Sequence, residues 1–274
     1  MLGRATGPIR ADAARIEGRG TSGHRRRRYS FGTERTAGDG WQNGGMRALV
    51  IGNRDDADLG VLGEWADLRG LTLEEVARED EGLPRLDGVD LLISLGSVWR
   101  VNDPELAPAL EPEQGLLREA IAADVPVLAI CFGMQQLTLA FGGTVFATAE
   151  PEIGFRVLPS VNPSIPSGPW MQYHYDACRL PPGATELARN DHGLQAYRLG
   201  SALAVQFHPE VDQSVLERWT GESADELEAV GLPRTLLIDE AELHAEASRD
   251  AALALFDGFW SSRPVVQTGA REPR

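Results

Sequence analysis

The chain has 274 residues, 42% of them hydrophobic and 24% charged, an ordinary globular composition with room for one large domain or two small ones. Its net charge of -15 argues against nucleic acid as a main partner, since phosphate binding needs basic patches, and no run approaches the ~18 apolar residues of a membrane span. Every one of its 26 Lys and Arg positions is an arginine, which excludes a mechanism built on a Schiff-base or general-base lysine.

Residues 1–45 hold nine Arg against four Asp and Glu, including the run Arg25-Arg26-Arg27-Arg28. They show almost no apolar periodicity and no apolar stretch of a secretory signal. Such a segment buries too little surface to offset chain entropy, so disorder is expected, with a basic arm touching RNA or an acidic partner as the alternative. A folded domain is expected over residues 46–262, followed by a flexible tail at 263–274.

Within that domain, 47–52 reads as a strand and 59–69 as a helix stopped by Gly70. Residues 89–95 form an apolar strand ending at Gly96, and 113–123 a helix. A buried strand spans 125–130, with Pro126 at its start, where a missing N–H is tolerated. A helix at 134–141 halts at Gly142-Gly143. Strands follow at 144–147, 194–198 and 203–207. The acidic stretch 211–242 reads as helical, either a docking face or a solvated one. The helix at 242–260 carries the stripe Ala252, Leu253, Phe256, Phe259 and Trp260. Strands interleaved with helices predict an α/β fold, an open, mostly parallel sheet with helices on both faces.

Cys131 lies between the strand ending at Ile130 and the helix beginning near Gly133. The small flanking residues allow a sharp turn that lifts the thiol at the strand's carboxyl end, as in a nucleophile elbow. A helix N-terminus also favours the thiolate, and the Phe132 amide could donate to an oxyanion. The strand ending at Phe207 delivers His208 to the same rim. Pro209 turns the chain, so Glu210 can fold back onto the ring nitrogen facing away from the cysteine. Nucleophile, base and orienting carboxylate make a Cys131-His208-Glu210 triad. The cysteines Cys131 and Cys178 sit in no disulfide framework or metal-ligand spacing, so a reducing, cytoplasmic setting is expected, without metal or cofactor. His24, His192 and His244 match no motif.

With these residues assembled, the chain from about Met46 to Trp260 resembles the class I glutamine amidotransferases. Their Gly-x-Cys-x-Gly-x-Gln pattern is met by Ala129-Ile130-Cys131-Phe132-Gly133-Met134-Gln135, and Phe-His-Pro-Glu by Phe207-His208-Pro209-Glu210. Leu95-Gly96-Ser97-Val98-Trp99, Pro151-Glu152-Ile153-Gly154-Phe155, Gln172-Tyr173-His174-Tyr175-Asp176 and Leu180-Pro181-Pro182-Gly183-Ala184 resemble a stand-alone branch similar to the glutaminase domain of GMP synthase. The resemblance implies a flavodoxin-like three-layer sandwich and glutamine as substrate. It implies an oxyanion hole from the amides of Gly96 and Phe132, and a pocket lined by Gln135, His174, Tyr175 and Asp176. Ala129 replaces the family's first glycine, and Val98 stands where its oxyanion loop often has proline.

The expected reaction is hydrolysis of glutamine to glutamate and ammonia through a γ-glutamyl thioester on Cys131. The ammonia would pass to a synthase or acceptor subunit in trans, because no phosphate-binding glycine loop is present to activate an acceptor. A hydrolase of γ-glutamyl amides or peptides is one alternative. A non-catalytic module that binds glutamine or a partner is the other.

Overall fold

The computed structural model describes residues 45–262 except 55, 56 and 81. The N-terminal extension up to residue 44 and the tail from 263 lie outside the described residues. Strand β1 (Met46–Gly52) pairs in parallel with β2 (Leu71–Ala77) and with β3 (Leu91–Ser94). β4 (Val127–Ile130) continues the parallel sheet beyond β3, and β10 (Ala202–Val205) lies beyond β4. Antiparallel β9 (Gly193–Leu199), β8 (Thr185–Asn190) and the short β6 (Ser160–Val161) complete an eight-stranded order β2-β1-β3-β4-β10-β9-β8-β6. A separate antiparallel pair joins β5 (Thr144–Arg156) to β7 (Trp170–Arg179).

Six helices accompany these strands among the described residues: α1 (Gly60–Arg69), α2 (Ala107–Ala122), α3 (Phe132–Ala140), α4 (Gln213–Glu222), α5 (Ala224–Ala229) and α6 (Arg234–Ser261). Side chains alternate across a strand, so β1 feeds two cores. Ala48 and Val50 face Leu62 and Trp65 of α1 and Phe256, Phe259 and Trp260 of α6. Leu49 and Ile51 face Leu110 and Leu117 of α2 and Leu137 of α3. Helices on both faces explain why the parallel strands are apolar throughout. A third core joins β5 and β7 to α4 and α6 through Ile153, Met171, Leu216 and Leu237.

The mostly parallel, doubly covered sheet agrees with the expectation, while several local boundaries differ. The helix expected at 113–123 begins six residues earlier, at Ala107, and carries Pro112 inside it. α2 runs through Pro112 although proline lacks the N–H that helical bonding uses. The acidic stretch 211–242 divides into α4, α5 and the first turns of α6. β2, β6, β7 and β8 were not foreseen. In β2 the pair Glu74-Glu75 breaks the alternation, and this strand lies at the sheet edge, where one side needs no burial. β7 carries Gln172, His174 and Asp176, polar side chains that hide a strand's apolar signal. None of the helices among the described residues is long and apolar enough to cross a membrane.

Candidate active site

Three neighbouring parallel strands end at one rim, which is where open α/β sheets place their sites. β3 runs into the loop that holds Gly96, β4 ends at Ile130 next to Cys131, and β10 leads through Gln206 and Phe207 to His208. Cys131 has φ 48° and ψ -103°, a conformation that L residues rarely adopt and that structures retain where it serves a purpose. Its N–H donates to the Val205 carbonyl at 2.8 Å, and its own carbonyl accepts from the Gln135 N–H at 3.1 Å. Neighbouring strand on one side and first helical turn on the other thus hold the elbow. Gly133 is required there, since a Cβ would stand 2.2 Å from the Ser94 carbonyl oxygen.

His208 is buried and donates its backbone N–H to Met171 O at 2.8 Å, so β7 fixes its position. Its Nδ1 lies 2.7 Å from Glu210 Oε1. The other carboxylate oxygen, Oε2, is buried without a hydrogen-bond partner among the described residues. The Glu210 carbonyl in turn accepts from Val61 N at 2.9 Å, tying this loop to the start of α1. Burial opposes charge on the imidazole, but the Glu210 carboxylate and the Cys131 thiol together outweigh it and raise the pKa from 6.5 to about 10. The arrangement therefore favours an imidazolium beside the sulfur.

Gly96 closes the site from the third strand. A Cβ at this position would stand 2.9 Å from His208 Cε1 and 3.7 Å from Cys131 Cβ, so only glycine allows the loop to approach so closely. The N–H groups of Gly96 and Phe132 donate to no acceptor among the described residues. Two free amides beside a thiol can stabilise negative charge on an attacked carbonyl.

The remaining motif residues separate into two groups. Gln135 is one turn along α3 from Cys131, and Asp176 is on β7; both are buried, and neither side chain has a hydrogen-bond partner among the described residues. His174, by contrast, has both ring nitrogens engaged within the protein. Nδ1 faces Asp176 O at 3.0 Å, and Nε2 faces Glu152 Oε2 at 3.0 Å and Gln172 Oε1 at 3.2 Å. That network continues through Gln195 and Asn190 to Glu152, whose carboxyl is held below its usual range by His174 despite burial. The Tyr175 ring carries the Arg100 guanidinium 5.2 Å from its centroid, and burial pushes its hydroxyl up to about 12.

Two site residues were missed in the sequence. Gln206 donates from Nε2 to Cys131 Sγ at 3.5 Å and faces Cys178 Sγ at 3.9 Å through Oε1. The pairing of Val205 with Ile130 puts Gln206 level with Cys131, a register that no single-strand pattern reveals. Trp219 of α4 meets the His208 ring edge-on, with centroids 4.9 Å apart, and its Nε1 donates to Asp58 Oδ2 at 3.0 Å. Its indole packs against the buried imidazole, and nothing in an acidic helix announces that contact.

Comparison with known proteins gives a consistent family. The family model "Glutamine amidotransferase class-I" matches residues 78–218. A glutamine-hydrolysing GMP synthase from Aeropyrum pernix is 33% identical over 207 residues, 70% of this chain and 36% of that protein. The same enzyme from Helicobacter pylori strain P12 is 39% identical over 99 residues, 33% of this chain and 20% of that protein. The chain thus spans about a third or less of these relatives' length. Among solved structures, a glutamine amidotransferase from Thermotoga maritima superposes with a TM-score of 0.73 at 25% identity, covering 80% of this chain and 100% of that one. One from Methylobacillus flagellatus shares the fold with a TM-score of 0.69 at 20% identity, covering 84% and 98%.

Proposed function

The chain belongs to the class-I glutamine amidotransferase family, and from that premise we propose that it hydrolyses the side-chain amide of glutamine at Cys131. The observation that carries this reading is the His208–Glu210 contact of 2.7 Å behind a thiol held at a positive-φ elbow.

In the proposed reaction the Cys131 thiolate attacks the amide carbon, and the resulting oxyanion accepts hydrogen bonds from Gly96 N–H and Phe132 N–H. The His208 imidazolium gives its proton to the nitrogen as the C–N bond breaks, releasing ammonia and leaving a γ-glutamyl thioester. The now neutral imidazole removes a proton from water, which attacks the thioester. Glutamate departs and the thiolate–imidazolium pair is restored. Glu210 holds the ring in place and stabilises its charge. The Asp176 carboxylate, without a hydrogen-bond partner among the described residues, suits the α-ammonium of glutamine, and the Gln135 amide suits its α-carboxylate.

The ammonia passes to a synthase acceptor, and the names of the Aeropyrum and Helicobacter relatives favour one of the GMP synthase type. The test is glutamate release from glutamine by the purified chain, alone and with candidate synthase partners. Activity that disappears in Cys131→Ala supports the reading. Equal activity in that variant, or none from the parent chain with any partner, refutes it.

A further inference from the structure

Arg78 follows β2 directly, and its charged side chain is fully buried. Nε donates to Glu113 Oε2 at 2.8 Å and Nη2 to Oε1 at 3.3 Å, so the guanidinium forks onto one carboxylate of α2. Nη1 donates to Asn53 Oδ1, and Nη2 also reaches the Leu95 carbonyl oxygen at 3.2 Å. Cζ lies 4.7 Å from the centroid of the Phe132 ring. One side chain therefore grips both elements that supply the oxyanion amides: the Leu95–Gly96 peptide and the first residue of α3.

The contact at Leu95 has a directional consequence. The Leu95 carbonyl and the Gly96 N–H belong to one peptide unit, and in a planar trans peptide they point in opposite directions. A donor fastened to that carbonyl aims the Gly96 N–H away from Arg78. The same hydrogen bond polarises the peptide and strengthens its N–H as a donor. The rest of the loop is secured alongside: Ser97 Oγ donates to Asn53 Oδ1 at 2.6 Å and accepts from Trp99 N at 2.9 Å. Ser94 Oγ donates to Glu113 Oε1 at 2.6 Å.

Stability alone does not account for this pair. A buried ion pair usually does no better than apolar side chains of the same volume, because desolvation offsets its attraction. Glu113 also cancels the charge of Arg78, so the pair adds geometry to the site without adding a net field. We propose that Arg78, clamped by Glu113, is a positioning residue that fixes the spacing of the Gly96 and Phe132 amides and polarises the first of them. This rests on the glutamine hydrolysis proposed above.

The test replaces the whole pair, Arg78→Met with Glu113→Leu, so that no unpaired charge stays buried, and compares it with Arg78→Lys. Folding is followed by circular dichroism, and thiol reactivity by the pH dependence of Cys131 alkylation with iodoacetamide, which needs no oxyanion hole. Glutamine turnover gives kcat and KM separately. A displaced donor amide costs about 100-fold, so kcat is expected to fall by that order in both variants. KM should stay within about threefold of the parent, with alkylation and fold unmoved. Weaker inhibition by a glutamine-derived aldehyde, which forms a tetrahedral thiohemiacetal, should accompany the loss. Unchanged kcat in a folded pair variant overturns the proposal. So does a parallel loss of kcat, KM and alkylation, which marks general disorder. A parent chain that releases no glutamate refutes the proposed reaction itself, a failure visible before any variant is made.

Discussion

His208 sits in a setting that divides its energetics in two. Burial disfavours the imidazolium, yet the Glu210 carboxylate 2.7 Å away and the Cys131 thiol bring its pKa to about 10. Because this value lies above the ordinary 6.5, the stabilising effect on the fold is complete below about 6.5. It declines as pH rises from there and is gone above about 10. The same proton serves the leaving nitrogen in the proposed reaction, so kcat/KM should fall on the alkaline side near that upper value. Replacing Glu210 by Gln removes the opposing charge. The alkaline limb should then move down by about 1–3 units, read from glutamate release across pH. A limb that stays in place would remove Glu210 from the proposed triad. Cys178, by contrast, is pushed up to about 12 chiefly by burial, and so stays a thiol near neutral pH.

At the scale of elements, the site depends on how helices meet strand ends. α3 starts at the residue after Cys131 and turns its positive end toward the sulfur. Asp212 directly precedes α4, and its Oδ1 accepts from Val215 N at 2.9 Å, capping the helix that packs Trp219 against His208. Asp212→Ala should therefore cost about 1 kcal/mol in urea unfolding, with Cys131 alkylation retained. A loss within error would show that the cap is redundant with the packing of Leu216 against β5 and β7. Boundaries were legible in the sequence where a helix ended on a glycine, as α1 does at Gly70 in the left-handed region. The start of α2 was not legible: the helix expected from 113 begins at Ala107, on the far side of Pro112.

For the whole molecule, stability rests on a sheet buried on both faces. Trp65 of α1 is almost fully buried, its ring 5.6 Å from Phe256 and 5.9 Å from Trp260 of α6. Chain segments almost 200 residues apart are joined there, and Trp65 Nε1 donates to Asp257 Oδ1 at 2.8 Å. Trp65→Ala should lower stability by about 3–5 kcal/mol, measured by chemical denaturation. A loss below about 1 kcal/mol would mean that α6 is held mainly by its contacts with α4. The sequence by itself determined the parallel α/β plan, through apolar strands alternating with helices, and marked Cys131, His208 and Glu210 through motifs whose spacing is local. Only the tertiary structure decided what lies across strands: Gln206 beside the sulfur, Trp219 against the imidazole, and Arg78 behind the Leu95 carbonyl. It also decided that the His174 ring is engaged on both nitrogens while the side chains of Asp176 and Gln135 have no hydrogen-bond partner among the described residues. The physical reason is that a hydrogen bond depends on distance and direction between side chains, which register and helix packing set. Residues far apart in the chain carry no trace of that in their own neighbourhoods.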